Sequence, residues 1–188
     1  ERYEHRIKTL YAAIVEFATR VGTKDMPEDV MNNVYSMRDA AGRIVRAVKA
    51  IKHLRRNTTA FTGRHQGVIT DLYNGLRAEI ARILVEIRKL ELADPEERST
   101  LWLDQERIQV EADERGTHTR IEELIRSHDL GAAAATSFLN DSNYAYGAMR
   151  DLLEAARAYF AQTENAMAEV ERILALEDDE VTERATGS

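Results

Sequence analysis

"SMRDAAGRIVRAVKAIKHLRRN", residues 36–57, decides the reading of the fold, because apolar and basic residues repeat in it at helical and not at strand spacing. At 100° per residue, Ala40, Ile44, Val48, Ile51 and Leu54 fall on one arc, which the spacing predicts to face a core. Arg46, Lys49, Lys52, His53 and Arg56 fall on a separate arc of about a third of the circumference, with Arg43 and Arg55 outside both. The stretch carries seven Lys/Arg against Asp39 alone, so it is +6 while the rest of the chain is −13. A long amphipathic helix with a basic stripe follows.

Working outward, the same period recurs. About residues 1–21 carry Ile7, Leu10, Tyr11, Ile14, Val15, Phe17 and Ala18 at three- and four-residue spacing. "GTKDMPED" ends that segment, and Asp25 with Pro27 suits a new helix start. The second helix is expected over about 28–61, breaking near Gly63, and the third over about 64–92 with Val68, Leu72, Leu76, Ile80, Ile83, Leu84 and Ile87. "ADPEER" is the clearest start signal: Asp94 as cap, Pro95 at the first position and Glu97 able to close a capping box. A fourth helix is expected over about 95–127, "HDLGA" turns the chain, and a fifth runs from about 131 to the mid-170s. The acidic tail 177–188 is expected to fray. No alternating strand pattern appears, so the fold expected is an all-α, elongated antiparallel bundle of about five long helices, with sub-bundles of about 1–93 and 94–176.

Composition sets the outer bounds. The 188 residues are 44% hydrophobic and 31% charged, enough apolar material for a core and too much for a disordered chain. With no cysteine, disulfides, thiolate metal sites and cysteine catalysis are excluded together. No run approaches the roughly 18–20 apolar residues of a membrane span, and "ERYEHRIKTL" has no apolar signal core, so the chain as given reads as soluble.

The motifs that would signal an enzyme are missing. No histidine among His5, His53, His65, His118 and His128 has a glutamate three residues before it, and no His-x-x-x-His pair exists. There is no glycine-rich phosphate loop and no nucleophile elbow. Asp113 and Asp141 are carboxylates that could meet across a bundle. The reading is a non-enzymatic domain without a cofactor.

For the basic stripe two readings stand. In one it is a solvated face paired with acids of a neighbouring helix. In the other it faces an anionic surface or an acidic partner. Nucleic acid is a poor fit, since the pI is near 5.3, no aromatics interleave the cations and no helix-turn-helix spacing precedes them.

Two stretches, "YSMRDAAGRIVRAVKAIKHLRRN" and "AAAATSFLNDSNYAYGAMRDLLEAARAYF", resemble the cytosolic, PhoU-like C-terminal domain of bacterial sodium/phosphate cotransporter family proteins. The specific parts are "IKHL" followed by a basic pair and Asn, and "NDS-x-YAY" before "LLEAA"; the opening "YEHRIKTLYAAIVEF" fits the start of the same domain. The resemblance implies tandem three-helix bundles and a regulatory or scaffolding domain of a sodium-dependent phosphate transporter. It places membrane helices upstream of Glu1 and the domain on the cytoplasmic face of the inner membrane. The partners implied are that transmembrane domain, anionic inner-leaflet lipid or an acidic protein, and further copies of itself. The family's metal-binding motif is a Glu-x-x-x-Asp following Asn-Asp. Placed on this chain it leaves Asp39, Asn140 and Asp141 as remnants, with Tyr35, Asn143 and Gly147 where carboxylates would stand, so no metal is expected. The alternative is a free-standing helical scaffold that binds an acidic protein partner.

Overall fold

The computed structural model describes the backbone of residues 2–22, 27–62, 67–94 and 99–186, and the side chains of 5–22, 27–61, 67–94 and 99–161. Five helices follow in order: α1 (Arg2–Gly22), α2 (Glu28–Thr62), α3 (Val68–Leu92), α4 (Leu101–Arg126) and α5 (Ala132–Thr186), with no strand among the described residues. The all-α bundle expected from the 3.6-residue period is the architecture found. Asp25, Gly63, Pro95 and Glu97, read as helix punctuation, lie outside the described residues.

Local chemistry explains the helix ends that are described. The Pro27 carbonyl accepts from the Met31 amide (3.1 Å), so the proline stands just before the first turn of α2, where its missing N–H costs nothing. The start of α4 differs from expectation. Ser99 and Thr100 are not helical, and the helix begins at Leu101, with the Thr100 carbonyl accepting from Leu103 (2.9 Å) and Asp104 in the first turn, where the helix dipole favours an acid. "HDLGA" does turn the chain: His128 adopts the left-handed conformation (φ 63°), and the Leu130 amide returns to the Leu124 carbonyl (3.1 Å), tucking Leu130 into the core.

α5 runs antiparallel to both α2 and α4 and is the spine. Along α2 and α5 the pairs Arg46–Asp151, His53–Tyr144 and Asn57–Asp141 step in opposite directions. Along α4 and α5 the pairs Asp104–Arg157, Glu114–Arg150 and Thr117–Tyr146 do the same. Small residues make the close approach possible: Ala40 and Ala47 of α2, and Ala145, Ala148, Ala155 and Ala156 of α5, are buried. One core holds Leu54, Tyr73, Ile83, Val110, Ile121, Phe138, Met149 and Phe160, drawn from α2 to α5. The α5 helix continues to Thr186, through most of the stretch set apart in the sequence as a frayed tail.

Among the described residues α1 touches only α2. Tyr11 of α1 lies against Gly42, where an added Cβ would come within 3.2 Å of its hydroxyl, so the glycine lets α1 sit close. Since α1 and α3 flank α2 without meeting each other, a strip of α2 is left uncovered between them.

Candidate functional site

The strip of α2 left between α1 and α3 is not polar. Its floor is Val45, Val48 and Ile51 of α2 with Ile80, Ala81 and Leu84 of α3, and Ile7 of α1 closes one end; the cavity volume is about 860 Å³. Among the described residues five charged side chains line it: Lys8 from α1, Lys49, Lys52 and Arg55 from α2, and Arg77 from α3. All five are cations. Lys49 and Arg55 have no carboxylate partner among the described residues, and Arg77 donates only to the amide oxygen of its neighbour Asn74 (3.3 Å). An apolar floor of low polarisability beneath one sign of charge focuses the field over the groove instead of dispersing it.

This corrects the expected core face of α2. Ala40 and Leu54 are buried, as the spacing predicts, but Ile44 is 45% exposed, and Val48 and Ile51 form the groove floor. On the helix wheel Ile51 and Val48 lie about 140° and 200° from Arg46, on the side turned away from Asp151 of α5. The buried contact with α5 goes to the alanines, because a small residue allows a closer backbone approach than a branched one.

The basic stripe is also divided. Arg46 donates through Nε and Nη2 to both oxygens of Asp151 (3.2 and 2.9 Å), which holds the guanidinium still more firmly protonated, and Arg43 joins the same carboxylate at 3.7 Å. His53 stacks on the Tyr144 ring at 4.9 Å. Arg46 thus pairs with an acid of a neighbouring helix, whereas His53 meets an aromatic ring. Lys49 and Lys52 instead turn to the groove, while Arg56 is exposed with no partner among the described residues. Arg55, which the wheel set outside both arcs, belongs to the groove rim together with Lys8 and Arg77. No periodicity within α2 could have enlisted Lys8 and Arg77, since only the packing of α1 and α3 brings them there.

The remaining sequence candidates scatter. Asp39 is exposed and bonds Arg43 of its own helix (2.9 Å), and Asn140 is exposed. Asp141 is buried, and one of its oxygens accepts from both Tyr73 Oη (2.7 Å) and Asn57 Nδ2 (2.9 Å), tying α2, α3 and α5 together. Asp39 lies eighteen residues before the Asp141 partner Asn57, a separation of about 27 Å along α2, so these remnants share no site. Asp113 does not meet Asp141 either: it accepts from Gln109 (2.7 Å) and sits near Glu79. Burial, and then Asp113, push the Glu79 carboxyl above the usual range, and burial pushes the Tyr146 phenol up to about 12 beside Thr117. Among the described residues no three His, Asp or Glu side chains are grouped to hold a metal ion, and no helix is long and apolar enough to cross a membrane.

Comparison of the chain with family models, with curated proteins and with solved structures finds no match.

Proposed function

We propose that this chain is a non-catalytic helical docking domain whose groove receives an acidic, amphipathic partner. The observation that carries the reading is the lining itself: an apolar floor on three helices, with a cation at every charged position around it among the described residues. Apolar burial supplies the affinity of such a contact, and the charges supply orientation and partner choice. The resemblance of "IKHLRRN" and "NDSNYAY" to the PhoU-like domains supports a setting for it, as a regulatory or scaffolding domain of a sodium-dependent phosphate transporter at the cytoplasmic face of the inner membrane. In that setting the groove is a docking point for the transporter or a regulator of it.

The test is binding of a fluorescent, helix-forming peptide with an apolar stripe flanked by glutamates, followed by anisotropy. The native chain is expected to bind it, more weakly as salt rises, and Lys49→Glu/Arg55→Glu to lose on the order of tenfold in affinity. Equal binding by both proteins overturns the reading. Sedimentation with anionic and neutral vesicles separates the lipid alternative: retention on anionic vesicles that depends on Lys49 and Arg55, without peptide binding, assigns the groove to a membrane surface.

A further inference from the structure

The partner chemistry that the groove requires is written in the chain's own last helix. Residues 162–186, "QTENAMAEVERILALEDDEVTERAT", hold eight Asp/Glu against two Arg, a net −6 that is nearly all of the chain's −7. Met167, Val170, Ile173, Leu174 and Val181 recur among those acids at three-, four- and seven-residue spacing, the pattern of one apolar stripe on a helix. The backbone of α5 carries this segment as helix to Thr186, while the last core residue described is Phe160.

A segment of that kind matches the groove in sign, pattern and length. Five cations line the rim. The groove follows α2 from Val45 to Thr59, about 21 Å, and the 25 helical residues Gln162–Thr186 span about 37 Å, so part of the segment fills it. The chain's own groove is out of reach for it, because α5 is one uninterrupted helix lying on the opposite side of α2 from the groove floor. Resting on the groove reading above, we infer that the acidic end of α5 from one copy docks into the basic-rimmed groove of a second copy. The chain then self-associates through α5, and any external acidic partner must displace that helix. Occupation of the groove becomes a competition.

The experiment is a charge swap read by light scattering and sedimentation equilibrium on the full chain. Four samples are compared: the native protein, Lys49→Glu/Arg55→Glu, Glu171→Lys/Glu177→Lys/Glu180→Lys, and an equimolar mixture of the two variants. The native protein is expected at a mass of two chains or more, falling toward the 21.4 kDa of a single chain as salt rises. Each variant alone is expected to self-associate on the order of tenfold more weakly, with unchanged helicity by circular dichroism. The mixture is expected to associate again, since the unaltered acidic segment of the groove variant then meets the unaltered basic groove of the segment variant. A monomeric native protein, or self-association unaffected by the groove swap, overturns the inference. If the native protein is monomeric yet still binds the acidic peptide through Lys49 and Arg55, self-docking falls and the docking groove stands. If it does neither, both fall.

Discussion

Removing a single hydroxyl, Tyr73→Phe, tests the buried joint between α2, α3 and α5. The Tyr73 ring is 1% exposed, stacked on Phe61 at 5.3 Å and edge-on to Phe138 at 5.1 Å, so the phenylalanine keeps the apolar contacts and deletes only the oxygen. That oxygen donates to buried Asp141 at 2.7 Å, and burial and the carboxylate together drive its pKa upward. A hydrogen bond to a charged group contributes about 1.5–3 kcal/mol, and the variant leaves Asp141 with the Asn57 amide as its remaining partner. For a chain of this size each kcal/mol moves the melting temperature by about 2–4 °C, so a drop of about 3–12 °C is expected by calorimetry. A comparison is Tyr146→Phe, which loses the Thr117 hydroxyl (2.7 Å) and a hydrogen bond to the Glu79 carboxyl and should also lower the melting temperature. In an Asp141→Ala background the effect of Tyr73→Phe should shrink, because the acceptor has gone. A loss at Tyr73 that persists undiminished without Asp141 refutes the charge-assisted joint.

Two further outcomes concern pH. Burial raises the Glu79 carboxyl, so the folded state holds that proton more tightly than the unfolded one; this contribution is complete below the ordinary glutamate value, about 4.3, and is lost as pH rises through the folded value. Glu79→Gln should therefore melt higher than the native protein at neutral pH and together with it in acid, and equal melting at neutral pH refutes the assignment. Tyr146, pushed up to about 12 by burial, contributes stability that is present below about 10 and lost between those values. Tyrosinate absorbance of Tyr146→Phe should then lack a late-titrating component that the native protein shows, and identical titrations count against it.

The helical class was legible because amphipathic spacing is a local property, and "HDLGA" announced its turn for the same reason. What was not legible is what each face meets. On α2, hydrophobicity ranks Ile44, Val48 and Ile51 above Ala40 and Ala47, yet the alanines are buried and the branched residues line a groove or face outward. The rule that failed equates apolarity with burial, whereas close packing of long helices selects for small side chains as well. The signal at Asp94–Pro95 places the start of α4 too early: Ser99 and Thr100 are not helical, and the helix begins at Leu101 without a side-chain cap from Thr100. The Asn57–Asp141–Tyr73 joint draws one residue from each of three helices, so no window of sequence contains it. Its single trace was "ND" at 140–141, noticed as a motif remnant.

The division of the basic stripe follows from where acids are available. Acids on α4 and α5 are taken up by arginines: Asp151 by Arg46 and Arg43, Glu114 by Arg150, Asp104 by Arg157, and Glu106 by Arg82. Among the described residues no acid of α1, α2 or α3 lines the groove, and its cations gather on the face away from α5. Exposed ion pairs contribute about 0–1 kcal/mol each, too little to hold a partner alone. The apolar floor must therefore supply most of the affinity, at about 25 cal/mol per Å² buried, while the rim decides which apolar helix is admitted. This separates the two roles experimentally. Substituting the floor, as in Val48→Ser/Ile51→Ser, should weaken peptide binding at every salt concentration, whereas rim substitutions should act strongly at low salt and fade as screening rises. Floor and rim variants with the same salt dependence would contradict that division of labour.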